Sequence, residues 1–341
     1  MTSSGTGRCW QVRPTSRSGV GRLPGVELAA VADPDRELLD RIATCHGIES
    51  CYRDALALID DDSLDAIILA TPDEQHVSQA MAALERGRHL FVEKPLASTW
   101  EEGRELQQLA VSHGVLLQVG MILRYEASHR WLYSQIEAGL FGDLVSFRGQ
   151  RNCSRRSFQG IADRIHTVHR TLIHDIDLLL WFSGSQVISV MAMDYRQGSH
   201  LSPNGCLAML KLANGCVAQL ESSWYVPDHS PVNVISDHWS GCIDAELAVV
   251  GTQRSARING LQSPLQVWTN QQLQSPDLSL WPSINGRVFG ALREQLADFL
   301  GCVASGQSSK VADVKSAVEA LRIAQAVVEA CRTNTVVSLN S

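Results

Sequence analysis

Four short stretches carry residue types that could do chemistry. "HLFVEKP" (His89 to Pro95) places Lys94 directly after a buried apolar run, with a proline fixing the chain's exit. Desolvation at such a point lowers a lysine's pKa and suits it to proton transfer or to holding a substrate hydroxyl; the structural alternative is a Lys94–Glu93 pair at a strand end. "GTGRCW" (Gly5 to Trp10) begins like a dinucleotide turn, in which Gly5, Thr6, Gly7 and Arg8 would meet a pyrophosphate. Such a turn should follow a buried strand and open a helix, yet only Met1-Thr2-Ser3-Ser4 precede it, Trp10 stands at the third fingerprint position and Pro14 interrupts the helix. "GVELAAVAD" ends on Asp33, placed to accept hydrogen bonds from ribose hydroxyls and to repel a 2′-phosphate, which favours NAD and leaves NADP possible; alternatively Asp33 caps the next helix before Pro34. "IHDID" sets His174, Asp175 and Asp177 in an otherwise apolar helix, where a histidine is more often packed and satisfied than catalytic.

The elements around these residues alternate. Buried strands are expected at "GVELAAVAD" (Gly25 to Asp33), "LDAIILATP" (Leu64 to Pro72), "HLFVEKP" and "VLLQVGMI", and helices at "PDRELLDRIATCHG", "DEQHVSQAMAALERG" and "TWEEGRELQQLAVSHG". Short loops between them imply a parallel sheet with right-handed crossovers. Ligands of such sheets bind at the carboxyl ends of the strands. There the sequence puts Asp33, Ala70-Thr71-Pro72 with His76 just beyond, Glu93-Lys94-Pro95 and Gly120-Met121. Past residue 122 the pattern changes to an amphipathic helix (Ala127 onward), extended runs, a hairpin about Asn214-Gly215 and two closing helices. The fold class is therefore α/β for residues 1–121, followed by an α+β domain with a largely antiparallel open sheet over 122–341.

Composition bounds the function. A chain of 341 residues, 45% hydrophobic and 19% charged, can bury two cores. Its net charge of −7 is spread along the chain and disfavours nucleic acid as a partner. No apolar run approaches the roughly 20 residues that span a bilayer. Nine cysteines, an odd number without a C-x-x-C pair, suggest reduced thiols in a cytoplasmic protein, and nothing in their spacing suggests a metal site. Residues 1 to 24 hold four arginines and no acid, a transit-peptide composition that lacks the apolar face of an amphipathic helix.

From about Leu23 to about Thr333 the sequence resembles the Gfo/Idh/MocA family of nicotinamide-dependent oxidoreductases. The likeness rests on "LPGVELAAVADPD", "ILATPDEQH", "HLFVEKPLA", "VGMILRY", "IEAGLFGDLVSFRG", "IHDIDLLLWFSG", "NGCVAQLESSW" and "ALREQLADFL". The resemblance implies a Rossmann-type domain holding NAD or NADP, and a substrate lying between nicotinamide and the second domain's sheet. It implies hydride transfer between that cofactor and a sugar, polyol or related hydroxy or keto compound, in a homo-oligomer (dimer or tetramer) built through the second-domain sheet. Carried over by position, Lys94 would polarise the reacting oxygen and His174 would act as acid/base. Arg124, His169, Arg170 and Asp175 are further candidate substrate contacts.

Two departures accompany the likeness. Many relatives have an aspartate four residues before the histidine, where this chain has Arg170; Arg170 and His169 could instead meet an anionic substrate. The opening stretch reads as a degraded strand–turn–helix, which leaves an empty slot at the centre of the sheet and poor cofactor affinity. A non-catalytic, ligand-binding or regulatory relative is the alternative that this damage suggests.

Overall fold

A computed structural model describes residues 8–12, 25–155, 164–228, 230, 233–236, 239–260, 265–270, 273–285 and 287–339. These residues form two compact units. One comprises 8–121 with 294–319, and the other 122–293 with 320–339.

The first unit is a six-stranded sheet: β1 (Arg8–Val12), β2 (Ala30–Ala32), β3 (Ser50–Tyr52), β4 (Ala66–Ala70), β5 (His89–Val92) and β6 (Leu117–Val119), in the order β3-β2-β1-β4-β5-β6. That is the order of a dinucleotide-binding sheet. The strands are short and apolar because both faces are covered; Ile67, Leu69, Leu90 and Val92 are fully buried. Helices α1 (Arg36–His46), α2 (Ala55–Ile59), α3 (His76–Glu85) and α4 (Trp100–His113) connect them. Each stop is chemical: Gly47 and Gly114 end α1 and α4 in the left-handed conformation, and Thr99 with Glu102 closes a capping box at the start of α4.

The centre of this sheet corrects one expectation. The slot is filled: β1 lies between β2 and β4, but antiparallel to both, with Arg8 opposite Ala70 and Val12 opposite Ala66. The chain therefore enters β1 at the carboxyl end of β4 and leaves it at the amino end. The glycines Gly5 and Gly7 precede this strand instead of following it. Residues Gly5, Thr6 and Gly7, and the segment around Pro14, lie outside the described residues.

The second unit begins with α5 (Ala127–Glu137) and β7 (Leu144–Ser154). A π-helical turn (Val168–Leu172) runs directly into α6 (Ile173–Ser183). Strands β8 (Val187–Tyr195), β9 (Gly205–Leu212), β10 (Val217–Val226), β11 (Asn233–Ser236), β12 (Trp239–Gly251) and β13 (Ser255–Gly260) follow. The sheet order is β11-β12-β7-β10-β9-β8, with β13 also paired to β12. Neighbours in this series are antiparallel except β7 and β10. Gly215, at φ 90°, makes the β9–β10 hairpin turn that Asn214-Gly215 predicts.

Alternation along β8 and β9 buries Val190, Ala192, Ala208 and Leu210 and leaves Met191, Met193, Leu207 and Met209 exposed. Residues 294–319 differ from the expected continuous second domain. Helix α7 (Ala291–Ser305) sets Phe299 and Leu300 against Ala66, Ile68 and Phe91 of the first sheet, with the Phe91 and Phe299 rings 5.7 Å apart.

Candidate active site

The carboxyl ends of β2, β4, β5 and β6 gather the first group of candidates. Asp33, at the end of β2, is 1% exposed, and its Oδ1 accepts the Asp35 N–H at 2.9 Å. The cap of α1 is Asp35, which accepts the Leu38 N–H. Asp33 is thus a buried carboxylate at the turn and not the cap itself.

Thr71 is held by its own hydroxyl, which donates to Gln79 Oε1 at 2.8 Å. Glu93 and Lys94 sit half-buried just past β5, where the Lys94–Pro95 peptide is cis. Gly120 is packed against Glu93: a Cβ there would lie 2.9 Å from Glu93 Oε2.

His76 requires a correction. The sequence suggests a cofactor contact, but the side chain is 1% exposed and both ring nitrogens are engaged. Nδ1 lies 2.7 Å from the Pro95 carbonyl oxygen and Nε2 lies 2.9 Å from that of Thr71. The ring therefore ties the turn after β4 to the turn that carries Lys94, and it meets backbone instead of ligand.

The residues at this edge suit a dinucleotide. A buried carboxylate ends β2, as an acceptor for ribose hydroxyls should. Close packing at Gly120 leaves backbone at the end of β6, and Lys94 stands at the end of β5. Arg8 opens β1 opposite Ala70, at this same edge.

The second group surrounds the start of α6. His174 is the second residue of this helix, half-buried, and directly precedes Asp175. Asp175 is fully buried and makes a two-pronged ion pair with Arg151 of β7, at 3.0 Å and 2.9 Å. Gly149, on the same strand, leaves room for this approach, since a Cβ would stand 3.1 Å from Asp175 Cβ. Two residues on, Asp177 pairs with Arg124 in the same manner at 2.9 Å and 2.6 Å, and the Arg124 guanidinium lies 5.5 Å from the centre of the Trp181 ring.

These pairs correct the expectation that Arg124 and Asp175 contact substrate. Each is buried and committed to its partner, so both serve as framework for the helix that presents His174. Two bidentate pairs on one helix fix its rotation as well as its position.

The π-helical turn is bound to β10 by hydroxyls. Thr167 and Thr171 both reach Ser222 Oγ, at 2.9 Å and 2.7 Å, and Trp224 Nε1 donates to Thr167 Oγ1 at 2.8 Å. His169 and Arg170 occupy this turn, immediately before α6, and the Arg170 N–H donates to the His166 carbonyl. His166 Nδ1 accepts the Val168 N–H. Burial pushes the His169 imidazole down to about 4; burial, with nearby His169 and Arg196, does the same to His166. π-turns inside helices recur at functional sites.

Sequence reasoning missed Asn152. It is buried on β7, donates from Nδ2 to Glu221 Oε1, and leaves Oδ1 buried without a partner. It lines a cavity of about 390 Å³ with Ser223, Tyr225, Ser230 and Asp244. A single asparagine at the end of "DLVSFRGQRN" has no spacing that would have signalled this. A second cavity, of about 340 Å³ beside Asp65, Arg88 and His89, opens at the amino ends of β4 and β5, the wrong edge for a ligand of this sheet.

Comparison with known proteins fits this arrangement. Residues 5–121 match the model of an oxidoreductase family with an NAD-binding Rossmann fold, and residues 129–257 match the GFO/IDH/MocA C-terminal domain. The chain belongs to the Gfo/Idh/MocA oxidoreductase family. It is 25% identical over 305 residues to the scyllo-inositol 2-dehydrogenase (NAD(+)) of Bacillus subtilis, covering 88% of this chain and 85% of that one. It is 32% identical over 184 residues to the inositol 2-dehydrogenase of Rubrobacter xylanophilus, covering 53% and 51%. The second match thus spans about half the length of that relative.

Among solved structures, myo-inositol 2-dehydrogenase from Lactobacillus plantarum shares the fold with a TM-score of 0.79, at 24% identity over 94% of both chains. Scyllo-inositol dehydrogenase from Lactobacillus casei, with bound NAD(H) and scyllo-inositol, does so with a TM-score of 0.74 at 21% identity over 92% of this chain and 91% of that one. No helix among the described residues of this family member is long and apolar enough to cross a membrane.

Proposed function

We propose that the protein oxidises a secondary carbinol of a neutral polyol, with Lys94 holding the reacting hydroxyl and His174 taking its proton. NAD⁺, when bound, supplies the hydride acceptor for the carbinol hydrogen. The Asp33 carboxylate would accept from the ribose hydroxyls and disfavour a 2′-phosphate. Ala70, Thr71, Pro72 and Glu93 would border the rest of the cofactor.

The position of Lys94 carries this reading. A lysine at the carboxyl end of β5, on a turn held by the His76 ring, is pre-set to orient an oxygen, and only orientation and charge are asked of the protein. His174 follows the same logic on its own unit, fixed by the Arg151–Asp175 and Arg124–Asp177 pairs. A positioned acid/base of this kind contributes roughly 10²- to 10⁴-fold in rate. The relatives' names, inositol dehydrogenases, support a polyol as the substrate class. The acceptors around the Asn152 cavity also suit hydroxyl donors.

A homodimer or tetramer through the exposed apolar face of Met191, Met193, Leu207 and Met209 belongs to this reading, because a contiguous apolar sheet face is a cost that a second copy relieves. So does a cytoplasmic location, supported by the free thiols at Cys45, Cys51, Cys153, Cys206, Cys216, Cys242, Cys302 and Cys331. The test is NADH formation from NAD⁺ with scyllo-inositol, myo-inositol and open-chain hexitols. Turnover with at least one is expected. NAD⁺ binding without oxidation of any polyol would overturn the proposal.

A further inference from the structure

The hydroxyls at the π-helical turn are hydrogen-bonded to one another. Thr167, Thr171, Ser222 and Trp224 are linked by hydrogen bonds, and His166 Nδ1 accepts the Val168 N–H. His169 Nδ1 is buried and has no hydrogen-bond partner. Its ring is only partly enclosed, and among the described residues no hydrogen bond is made to its nitrogens. A buried polar atom left unsatisfied costs stability, and proteins keep such atoms mainly where function uses them.

The position of the residue narrows that use. Thr167 and Thr171 are four residues apart and share the face bonded to β10; His169, midway between them, projects from the other side of the turn. It lies five residues ahead of His174 on the same continuous run of helix. We infer that His169 is a specificity-determining residue, which receives a second hydroxyl of a neutral polyol substrate through its open ring nitrogen, Nε2. This rests on the proposal that His174 is the proton acceptor.

The same geometry argues against an anionic substrate held by His169. Burial keeps this imidazole and that of His166 neutral far below pH 7, so neither lends positive charge to a carboxylate. A neutral imidazole offers one N–H and one lone pair, and an orphaned buried N–H is the rarer defect. Leaving the lone pair at Nδ1 places the hydrogen on Nε2, which would donate to the substrate oxygen.

The test compares the wild-type protein with His169→Phe and His169→Gln, using scyllo-inositol, myo-inositol and, as an anionic probe, D-glucuronate. Phenylalanine keeps the ring and removes both nitrogens, and glutamine restores a donor near the Nε2 position. His169→Phe is expected to raise KM for the best polyol about tenfold, the effect of one neutral hydrogen bond, with kcat changed much less. His169→Gln should recover part of that loss. The melting temperature of His169→Phe without ligand should be unchanged or higher, since an unsatisfied atom has been removed. A wild type that oxidises a polyol, together with a His169→Phe variant of unaltered KM, would overturn the inference alone. So would a His169→Phe variant that loses stability and activity in parallel. A wild type that oxidises D-glucuronate and no polyol would overturn the proposed function with it.

Discussion

Replacing Asp175 by asparagine should be among the most damaging single-atom changes available in the second unit. The carboxylate is fully buried and takes two hydrogen bonds from Arg151, whose side chain is itself 9% exposed. Asparagine keeps the shape but removes the charge, which leaves the guanidinium buried and uncompensated. Breaking a buried pair in this way costs about 3–5 kcal/mol. For a cooperative unit of this size each kcal/mol moves the melting temperature by about 2–4 °C, so a fall on the order of 10 °C is expected. The double variant Arg151→Met/Asp175→Leu removes both charges and should recover much of that loss, because well-packed apolar replacements of buried pairs are often neutral or stabilising. Thermal and urea unfolding of the wild type, the single and the double variant measure this directly. A single variant that costs less than about 1 kcal/mol, or a double variant worse than the single, would refute the view that the pair is a desolvated clamp on α6.

The two low-pKa imidazoles predict acid sensitivity. His166 and His169 titrate near 4 when folded and near 6.5 when unfolded, so the unfolded chain binds these protons first. The stability they contribute is present above pH 6.5 and is lost as pH falls toward 4, by about 3 kcal/mol for either group at the lower end. Urea midpoints across this range, in wild type and His166→Gln/His169→Gln, should show the loss in the first and a flatter profile in the second; parallel curves would refute the assignment. At the amino terminus, replacing residues 1–22 by an apolar strand, a G-x-G-x-x-G turn and an amphipathic helix should tighten NAD⁺ binding at least about tenfold, since β1 here runs opposite to the direction that sets a helix N-terminus on the pyrophosphate. Calorimetry with NAD⁺ checks this, and equal affinities would show that the antiparallel strand serves as well.

Much of this architecture was legible from residues 25 onward because each signal was local. Apolar runs of strand length ended by Thr71-Pro72 or Lys94-Pro95, and glycines placed just past α1 and α4, mark elements that need no tertiary information. The short strand Ser50–Tyr52 and the five-residue helix Ala55–Ile59 were missed because neither is long enough to show a period.

The direction of β1 was also out of reach. Pairing preferences in the sheet admit Cys9 and Trp10 either way, and the outcome depends on where the chain re-enters. Site residues divide in the same way. Lys94 and His174 are singled out by sequence context, and their roles are proposals. The roles of Arg124, Asp175 and His76 depend on partners 53, 24 and 19 residues away, which no spacing rule specifies. Residues 294–319 join the first unit for the same reason: Phe299 finds Phe91 only in three dimensions.

The most direct measurement of the central claim is the pre-steady-state and steady-state rate of NADH formation from NAD⁺ and the best inositol isomer, in wild type, Lys94→Ala and His174→Ala. Removing the group that orients the hydroxyl, or the one that takes its proton, should lower kcat by about 10²-fold or more while NAD⁺ affinity and melting temperature stay near the wild-type values. The loss in His174→Ala should shrink as pH rises and hydroxide substitutes for the missing base. Turnover near the wild-type rate in either variant, with the fold intact, would contradict the assignment of Lys94 and His174 to the reaction.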